Sequence, residues 1–202
     1  MPEFDFHCPM ISLPFAVFAF HPEIPAHEHY LKPNDAIKMA WSQRLGNQRK
    51  KRIGWVWSGN QFHHNDGHRS LPLQTLKPFI ELLDNDFEQF SLQKDLRQGE
   101  SEILNDLPCM LNLSESIASF EDTAALCALM DIVITVDTSV AHLSGSLGRP
   151  TWLLLAFAPD WRWMLDRDDS PWYPSFKLFR QKAISDWASV LSSLCAELEK
   201  HD

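Results

Sequence analysis

One stretch of the 202-residue sequence decides the fold: Ile132-Val133-Ile134-Thr135-Val136-Asp137-Thr138-Ser139-Val140-Ala141-His142-Leu143. Its first five residues are all β-branched and predict a buried strand. Asp137 and Thr138 are residue types that cap helices, so a helix is expected directly after the strand. The first turn of that helix offers free backbone N–H groups, two hydroxyl groups and, one turn on, an imidazole. This junction is therefore a candidate anion-binding site.

The rest of the chain alternates apolar runs with amphipathic stretches. Six strands are predicted, at Ile53–Ser58, Phe87–Gln93, Met110–Leu113, Asp131–Asp137, Thr151–Ala156 and Phe176–Arg180. Apolar spacing, capping residues and a terminating glycine predict helices at residues 73–83, at 124–130 behind a capping box of Ser119 and Asp122, from Thr138 to Gly148, and at 187–198. This alternation predicts an α/β fold, a Rossmann-like parallel sheet with helices on both faces.

The first fifty residues do not follow this pattern. They hold six of the 13 prolines and show no strand–helix alternation. We therefore predict that residues 1–50 form a linker or strap with one helix, roughly from Asn34 to Leu45, started by an Asn or Asp cap. Residues 51–202 are predicted to form the Rossmann-like domain.

Composition excludes several classes of protein. The formal net charge of −9 argues against a protein that binds nucleic-acid phosphates. The four cysteines show no C-x-x-C spacing, which favours reduced thiols in a cytoplasmic protein over a zinc knuckle or a redox dithiol. The N-terminus is acidic, and the apolar stretch Met10–Phe20 is short and interrupted by Pro14, so neither a signal peptide nor a membrane span is predicted.

Ligands of open α/β sheets bind outside the carboxyl ends of the strands. Four predicted strand ends carry small, polar or proline-bearing sequences there: Ser58-Gly59-Asn60, Gln93-Lys94, Asp137-Thr138-Ser139 and Phe157-Ala158-Pro159-Asp160. Arg69, in the polar loop after the first strand, is placed to supply a cation to the helix start. An alternative stays open, in which Asp137 or Thr138 only caps the helix and His142 packs against the sheet.

The run from Pro159 to Pro174 is rich in aromatic residues, with three of the eight tryptophans of the chain. In one interpretation it walls the cleft, with Trp161 stacking on a base or sugar and Asp160 accepting hydrogen bonds from hydroxyl groups. In the other, Trp161 and Trp172 anchor a long loop to the sheet. The sequence allows each interpretation for different rings.

The sequence also contains residue types found in hydrolytic triads and in metal sites. Asp137, Ser139 and His142 lie too close together on one helical turn to act in series as a hydrolytic triad, and the sequence has no G-x-S-x-G elbow. The histidine-rich run His63–His68, with His27 and His29, has the density of a metal site. Polar loops often have this composition without a metal, and no H-E-x-x-H pattern is present. We therefore predict neither a metal nor another cofactor.

The motif from Asp137 to Pro150 resembles the donor-binding signature of the ADP-heptose:lipopolysaccharide heptosyltransferase family. A closer resemblance is to the C-terminal glycosyltransferase region of bacterial tetratricopeptide-repeat proteins. The segments that carry it are Ile53–Asn60, Arg69–Leu73, Ser91–Lys94, Phe120–Leu126 and Pro159–Pro174. In addition, Cys8–Pro14 is similar to the segment that leads out of the family's first Rossmann domain.

The resemblance implies the C-terminal, nucleotide-sugar-binding half of a GT-B glycosyltransferase. Together with the local sequence it implies a donor diphosphate site formed by Ser58, Arg69, Asp137, Thr138, Ser139 and His142. The nucleoside and sugar are then expected near Gln93, Lys94, Asp160 and Trp161. No metal is needed where protein cations and helix N-termini stabilise the leaving diphosphate.

The resemblance also implies partners. In the family, an N-terminal Rossmann domain carries the acceptor site and the presumed general base, and repeat domains precede it. Since this sequence starts at the linker, we expect it to bind a donor better than it turns it over. It is then an inverting, heptosyltransferase-like enzyme only when paired with such a domain. Two alternatives are a non-catalytic scaffold that binds a protein partner or self-associates, and half of a nucleotide-sugar epimerase or hydrolase.

Overall fold

The computed structural model describes residues 29–200 continuously, together with residues 3, 5–9, 12 and 16. Part of the predicted strap therefore lies outside the described residues, including nearly all of the apolar stretch 10–20 and much of the linker-like segment 8–14. Within the described part of the chain, no helix combines the length and the apolar character needed to cross a membrane.

Six strands form one sheet: β1 (Lys51–Val56), β2 (Phe87–Ser91), β3 (Met110–Asn112), β4 (Ile132–Val136), β5 (Thr151–Leu155) and β6 (Phe176–Arg180). All pairs are parallel, in the order β3-β2-β1-β4-β5-β6. The predicted strands and sheet type are confirmed. β1 begins and ends two residues before its predicted bounds, so Ser58 lies in the loop beyond it.

The helices are α1 (Asp35–Leu45), α2 (Asp66–Arg69), α3 (Leu73–Leu82), α4 (Glu100–Asn105), α5 (Phe120–Leu129), α6 (Ser139–Ser146) and α7 (Trp187–Leu198). The capping box before α5 is confirmed, because Ser119 Oγ accepts from the Asp122 N–H and the Asp122 carboxylate accepts from the Ser119 N–H. α5 starts at Phe120, four residues before the predicted start. The short helices α2 and α4 were not predicted.

Helices cover both faces of the sheet. Ile53 and Ile134 pack with α3 and α7 in one core, and Val56 and Val133 pack with α1 and α5 in the other. Since successive side chains of a strand point to opposite faces, β1 and β4 are buried on both sides. Gly54 in β1 allows Leu92 to pack closely against the strand, because a Cβ atom at this glycine would lie 2.6 Å from Cδ1 of Leu92.

The helix predicted in the strap packs on the domain. Asn34 caps α1 by accepting a hydrogen bond from the Ala36 N–H at 3.0 Å. Trp41 is buried in the core beside α5, and its Nε1 donates to Asp122 Oδ1 at 2.9 Å. This contact ties the helix to the cap of α5, so α1 is part of the folded unit.

Candidate functional site

The strand order places the candidate site between β1 and β4. β1 pairs with β2 on one side and with β4 on the other, which makes the β1–β4 pair the switch point of the sheet. In open α/β sheets the crevice at this point is where ligands bind. The loop after β1 carries Ser58 and Arg69, and the turn after β4 carries Asp137, Thr138 and Ser139. The topology thus brings two distant parts of the chain to one edge.

Helix α6 begins at this edge with a side-chain cap. Thr138 has an extended backbone, and its Oγ1 accepts a hydrogen bond from the Val140 N–H at 3.3 Å. The same hydroxyl lies 3.3 Å from Oγ1 of Thr135. The capping role considered from the sequence is therefore filled by Thr138. Ser139 is exposed at the first helical position, where backbone N–H groups have no partner within the helix.

The Arg69 guanidinium lies against this helix start. Its Nη1 donates to the backbone oxygen of Asp137 at 2.9 Å. Its Nε is buried without a hydrogen-bond partner and lies 3.9 Å from Asp66 Oδ1. The contribution of Asp137 to this arrangement is its carbonyl oxygen, which fixes the cation at the carboxyl end of β4.

A polar network holds the loop that carries Arg69. Arg97 Nη2 donates to Asp66 Oδ2 at 2.6 Å, Ser70 Oγ donates to Asp66 Oδ1 at 2.8 Å, and the Gly59 N–H donates to Ser70 Oγ at 3.2 Å. Gly59 also packs under the cation, since a Cβ atom there would lie 2.5 Å from Arg69 Nη2. Asp66 and Arg97 were not identified from the sequence, because a pair that joins two segments 31 positions apart leaves no periodic signal.

Two clefts open on either side of the helix start. The cleft toward β5 has a volume of about 730 Å³, and the cleft toward β2 has a volume of about 810 Å³. Arg69, Thr138 and Ser139 line both, and we call these three residues the shared rim. The β5-side cleft also contains Asp137, His142 and Asp160, and the β2-side cleft also contains Ser58, Gln93 and Lys94. Of the predicted site residues, Trp161 alone lines neither cleft.

Of the three predicted site residues that line the β2-side cleft alone, one has an unpartnered hydroxyl group and two have hydrogen-bonded side chains. Ser58 Oγ is buried without a hydrogen-bond partner. Gln93 Oε1 accepts from the Ser58 N–H and Gln93 Nε2 donates to the Asp95 oxygen, both at 3.1 Å. Lys94 Nζ donates to the Ile117 oxygen. Gln93 therefore holds two loops together, whereas the buried Ser58 hydroxyl has no hydrogen-bond partner.

His142 lies one turn into α6 and lines the β5-side cleft. Its ring stacks on Trp163, with centroids 5.4 Å apart and planes 21° apart. Its Nδ1 lies 3.1 Å from the hydroxyl of Tyr173. Burial lowers the pKa of His142 below its usual value, so the imidazole is neutral at neutral pH.

The aromatic loop is anchored by a different ring from the one predicted. Trp163 is fully buried, whereas Trp161 is 68% exposed and meets Trp172 edge-on at 6.0 Å. The interpretation in which Trp161 and Trp172 anchor the loop therefore does not apply to Trp161, because the buried ring beside His142 is that of Trp163. Asp160 lines the cleft, and its carboxylate accepts from the Arg162 N–H at 3.0 Å.

The histidine-rich loop lies at the edge of the β5-side cleft. The His63 and His64 rings stack with centroids 4.5 Å apart, and both line the cleft. Across the described residues, no group of three or more His, Cys, Asp or Glu side chains is arranged to hold a metal ion. His27, considered with this cluster from the sequence, lies outside the described residues.

Comparison with solved structures shows which proteins have a similar architecture. The chain superposes on E. coli ADP-heptose LPS heptosyltransferase II with a TM-score of 0.61 and 16% identity, over 85% of this chain and 54% of that one. The fold is that of one heptosyltransferase half. E. coli heptosyltransferase WaaC with ADP gives a TM-score of 0.58 at 16% identity, over 86% of this chain and 52% of that one. WaaC with ADP-2-deoxy-2-fluoro heptose gives 0.57. The predicted Rossmann-like half of a GT-B fold is thus confirmed.

Sequence comparison finds a similarity to a longer protein. The protein FlbA of Caulobacter vibrioides is 24% identical over 187 residues, which cover 86% of this chain and 29% of FlbA. No protein-family profile matches the sequence. The chain therefore spans about half the length of the heptosyltransferases and less than a third of FlbA.

Proposed function

We propose that this chain is the donor-binding half of a GT-B glycosyltransferase and binds the diphosphate of a nucleotide sugar at the shared rim. One observation carries the proposal: the Arg69 guanidinium and the start of α6 meet between the two clefts, and the unpartnered Ser58 hydroxyl belongs to a residue that lines the β2-side cleft with them. A helix start and a fixed cation both stabilise phosphate oxygens. A diphosphate there also gives the Ser58 hydroxyl an acceptor.

The two clefts differ in a way that suits the two ends of such a ligand. The β2-side cleft contains apolar side chains, among them Val56, Leu92 and Ala118, which suit the face of a nucleobase. The β5-side cleft contains His142 and Asp160, which suit sugar hydroxyl groups. In this arrangement Gln93 and Lys94 lie beside the nucleoside. Thr138 and Ser139 present backbone N–H groups to the phosphates, and Asp137 holds Arg69 in place.

The chemistry of the reaction is proposed from the resemblance. A second, N-terminal Rossmann domain would supply the acceptor site and the general base, as the coverage of about half of each heptosyltransferase supports. We propose residues 51–202 as the donor domain and residues 1–50 as the strap toward that partner, with α1 of the strap packed on the donor domain. We further propose that the whole protein is an inverting, heptosyltransferase-like enzyme in the cytoplasm. In this proposal, tetratricopeptide repeats precede the Rossmann domains.

The test is calorimetric titration of the chain with ADP, UDP and GDP. Binding of at least one of them, weakened in Ser58→Ala, is the expected result. The substitution removes a buried hydroxyl that has no partner, so the free energy of unfolding of the ligand-free protein is expected to change little. The proposal fails if none of the three nucleotides gives heat or raises the melting temperature.

One observation favours the scaffold alternative. Phe157, Trp161 and Leu165 are all exposed in the loop after β5, and such apolar surface is typical of an interface. For self-association through this loop, size-exclusion mass is expected to fall in Trp161→Ala. A monomeric mass in both proteins contradicts this alternative.

A further inference from the structure

Positive charge is concentrated in the β2-side cleft. The described residues that line it include three cations, Arg69, Lys94 and Arg97, and one carboxylate, that of Asp95. The β5-side cleft is lined by two arginines against two aspartates. The whole chain has a formal net charge of −9, so an excess of cations in one cleft is a local feature that favours an anionic ligand group on the β2 side of the shared rim.

Arg97, in the loop before α4, has more hydrogen-bond donors than the folded chain uses. Its Nη2 donates to Asp66 Oδ2 at 2.6 Å and to Ser70 Oγ at 3.0 Å, and its backbone N–H donates to Glu100 Oε2 at 2.8 Å. Its Nε is buried without a hydrogen-bond partner, and no hydrogen bond among the described residues involves its Nη1. The side chain is 33% exposed. The guanidinium is therefore fixed through one nitrogen and keeps unused N–H groups.

One carboxylate joins Arg97 to Arg69. Asp66 Oδ2 accepts the hydrogen bond from Arg97, and Asp66 Oδ1 lies 3.9 Å from Arg69 Nε. Arg97 Nη2 also lies 3.5 Å from the backbone oxygen of Gly59, the glycine that packs under Arg69. The two guanidinium groups are thus neighbours, and the buried Asp66 carboxylate offsets part of their mutual repulsion.

We propose that Arg97 is a second phosphate-binding residue, held beside Arg69 by the carboxylate of Asp66. Arg69 lines both clefts, whereas Arg97 lines the β2-side cleft alone. The inference rests on the proposed function, in which the nucleoside occupies the β2-side cleft. Arg97 then binds the α-phosphate, which carries the nucleoside, and Arg69 binds the β-phosphate, which carries the sugar. Each guanidinium forms charge-assisted hydrogen bonds to one phosphate group.

Calorimetric titration with a nucleoside diphosphate and its monophosphate separates phosphate binding by Arg97 from mere support of the Arg69 loop. The pair used is ADP and AMP, UDP and UMP, or GDP and GMP, according to which diphosphate binds the native chain most tightly. Arg97→Gln is expected to weaken both nucleotides by a similar factor, roughly 10-fold, because each contains the α-phosphate. Arg69→Ala is expected to weaken the diphosphate more than the monophosphate. If Arg97 only supports the Arg69 loop, Arg97→Gln gives this second pattern instead, which overturns the proposal.

Asp66→Asn tests the shared carboxylate by the sign of its effect. The substitution removes a negative charge beside the anion site, so charge alone predicts tighter binding of both nucleotides. Loss of the group that holds the two cations predicts weaker binding, which is the result we expect. Tighter binding would show that Asp66 does not position Arg69 and Arg97.

Two further variants keep the test decisive. Arg97→Gln leaves the buried Asp66 carboxylate beside a neutral group, so Asp66→Asn/Arg97→Gln, which removes both charges of the pair, replaces it if the single variant does not fold. Lys77→Ala, which removes a cation away from both clefts, is the control and is expected to bind both nucleotides like the native chain. Unchanged monophosphate affinity without the Arg97 guanidinium overturns the inference, as does a native chain that binds the diphosphate but not the monophosphate. A native chain that binds none of ADP, UDP and GDP contradicts the proposed function itself.

Discussion

Arg69 Nη1 donates to the backbone oxygen of Asp137 across 2.9 Å, although the two residues lie 68 positions apart in the chain. The guanidinium is held from a second side by the backbone of Gly59. Its position is thus fixed before any ligand arrives, which reduces the entropy lost on binding. The cation and the helix start form one preorganised anion site.

Arg69→Ala is expected to weaken ADP binding by roughly 10- to 100-fold, the range for loss of one hydrogen bond to a charged group. Calorimetric titration measures the change. Lys77→Ala is the matched control, since it removes a cation on α3 that is paired with Glu81 away from both clefts. Equal affinity in Arg69→Ala and the native protein would falsify the assignment.

Gly59→Ala is expected to weaken ADP binding nearly as much as Arg69→Ala does, although the Arg69 charge is kept. The new methyl group would lie 2.5 Å from Arg69 Nη2, so the guanidinium must move. Gly67→Ala adds the same methyl group where no atom lies within 4 Å, and it controls for the substitution itself. The double variant Gly59→Ala/Arg69→Ala is expected to bind like Arg69→Ala alone. If the losses of binding free energy in the two single variants add up in the double variant, Gly59 does not act through Arg69.

Trp163→Ala and Trp161→Ala are expected to separate the two rings of the aromatic loop. Trp163 is fully buried against His142, and its truncation is expected to lower the free energy of unfolding by about 3–5 kcal/mol. Trp161 is 68% exposed, and its truncation is expected to change stability little. Urea unfolding followed by circular dichroism measures both. The reverse order of the two effects would contradict this packing.

Glu197 provides a test of pH dependence away from the site. Lys177 and Lys200 hold the pKa of this carboxyl at about 2 by hydrogen bonds of 2.6 and 3.1 Å. Because the folded pKa lies below the unfolded one, the stabilisation is present above the unfolded pKa and is lost as the pH falls toward 2. Glu197→Gln is expected to cost up to about 1 kcal/mol near neutral pH and nothing in strong acid. A cost that does not vary with pH would rule out the ion pairs as its source.

The junction from β4 to α6 could be predicted because its signals are continuous. A β-branched run is followed at once by a capping threonine, and Gly148, with a φ of 66°, follows the helix end as expected. The start of β1 could not be predicted this way. Lys51 and Arg52 look like exposed lead-in residues, yet Arg52 is buried through its 2.9 Å ion pair with Glu88. Periodicity does not report such long-range pairing.

The predicted site residues were found at strand ends, where a topological rule applies. The residues that support them were missed, because Asp66 begins the short helix α2, Arg97 lies in the loop before α4, and the two meet only in the folded chain. Trp163 was also missed as the anchor. It sits in a single 3₁₀ turn with Trp161, and a turn of that length has no repeat that separates a buried ring from an exposed one.

The order of the strands has a consequence for how the chain folds. In the pairing of β1 with β4, Ile53 lies beside Ile132, 79 positions further along the chain. Pairing over such a separation closes a long loop and is slow. A partly folded chain that has formed only β1, β2 and β3 carries Arg69 without its partner at Asp137. The anion site is therefore complete only after β4 has paired with β1, and a nucleotide that binds it shifts the equilibrium toward the fully folded chain by mass action.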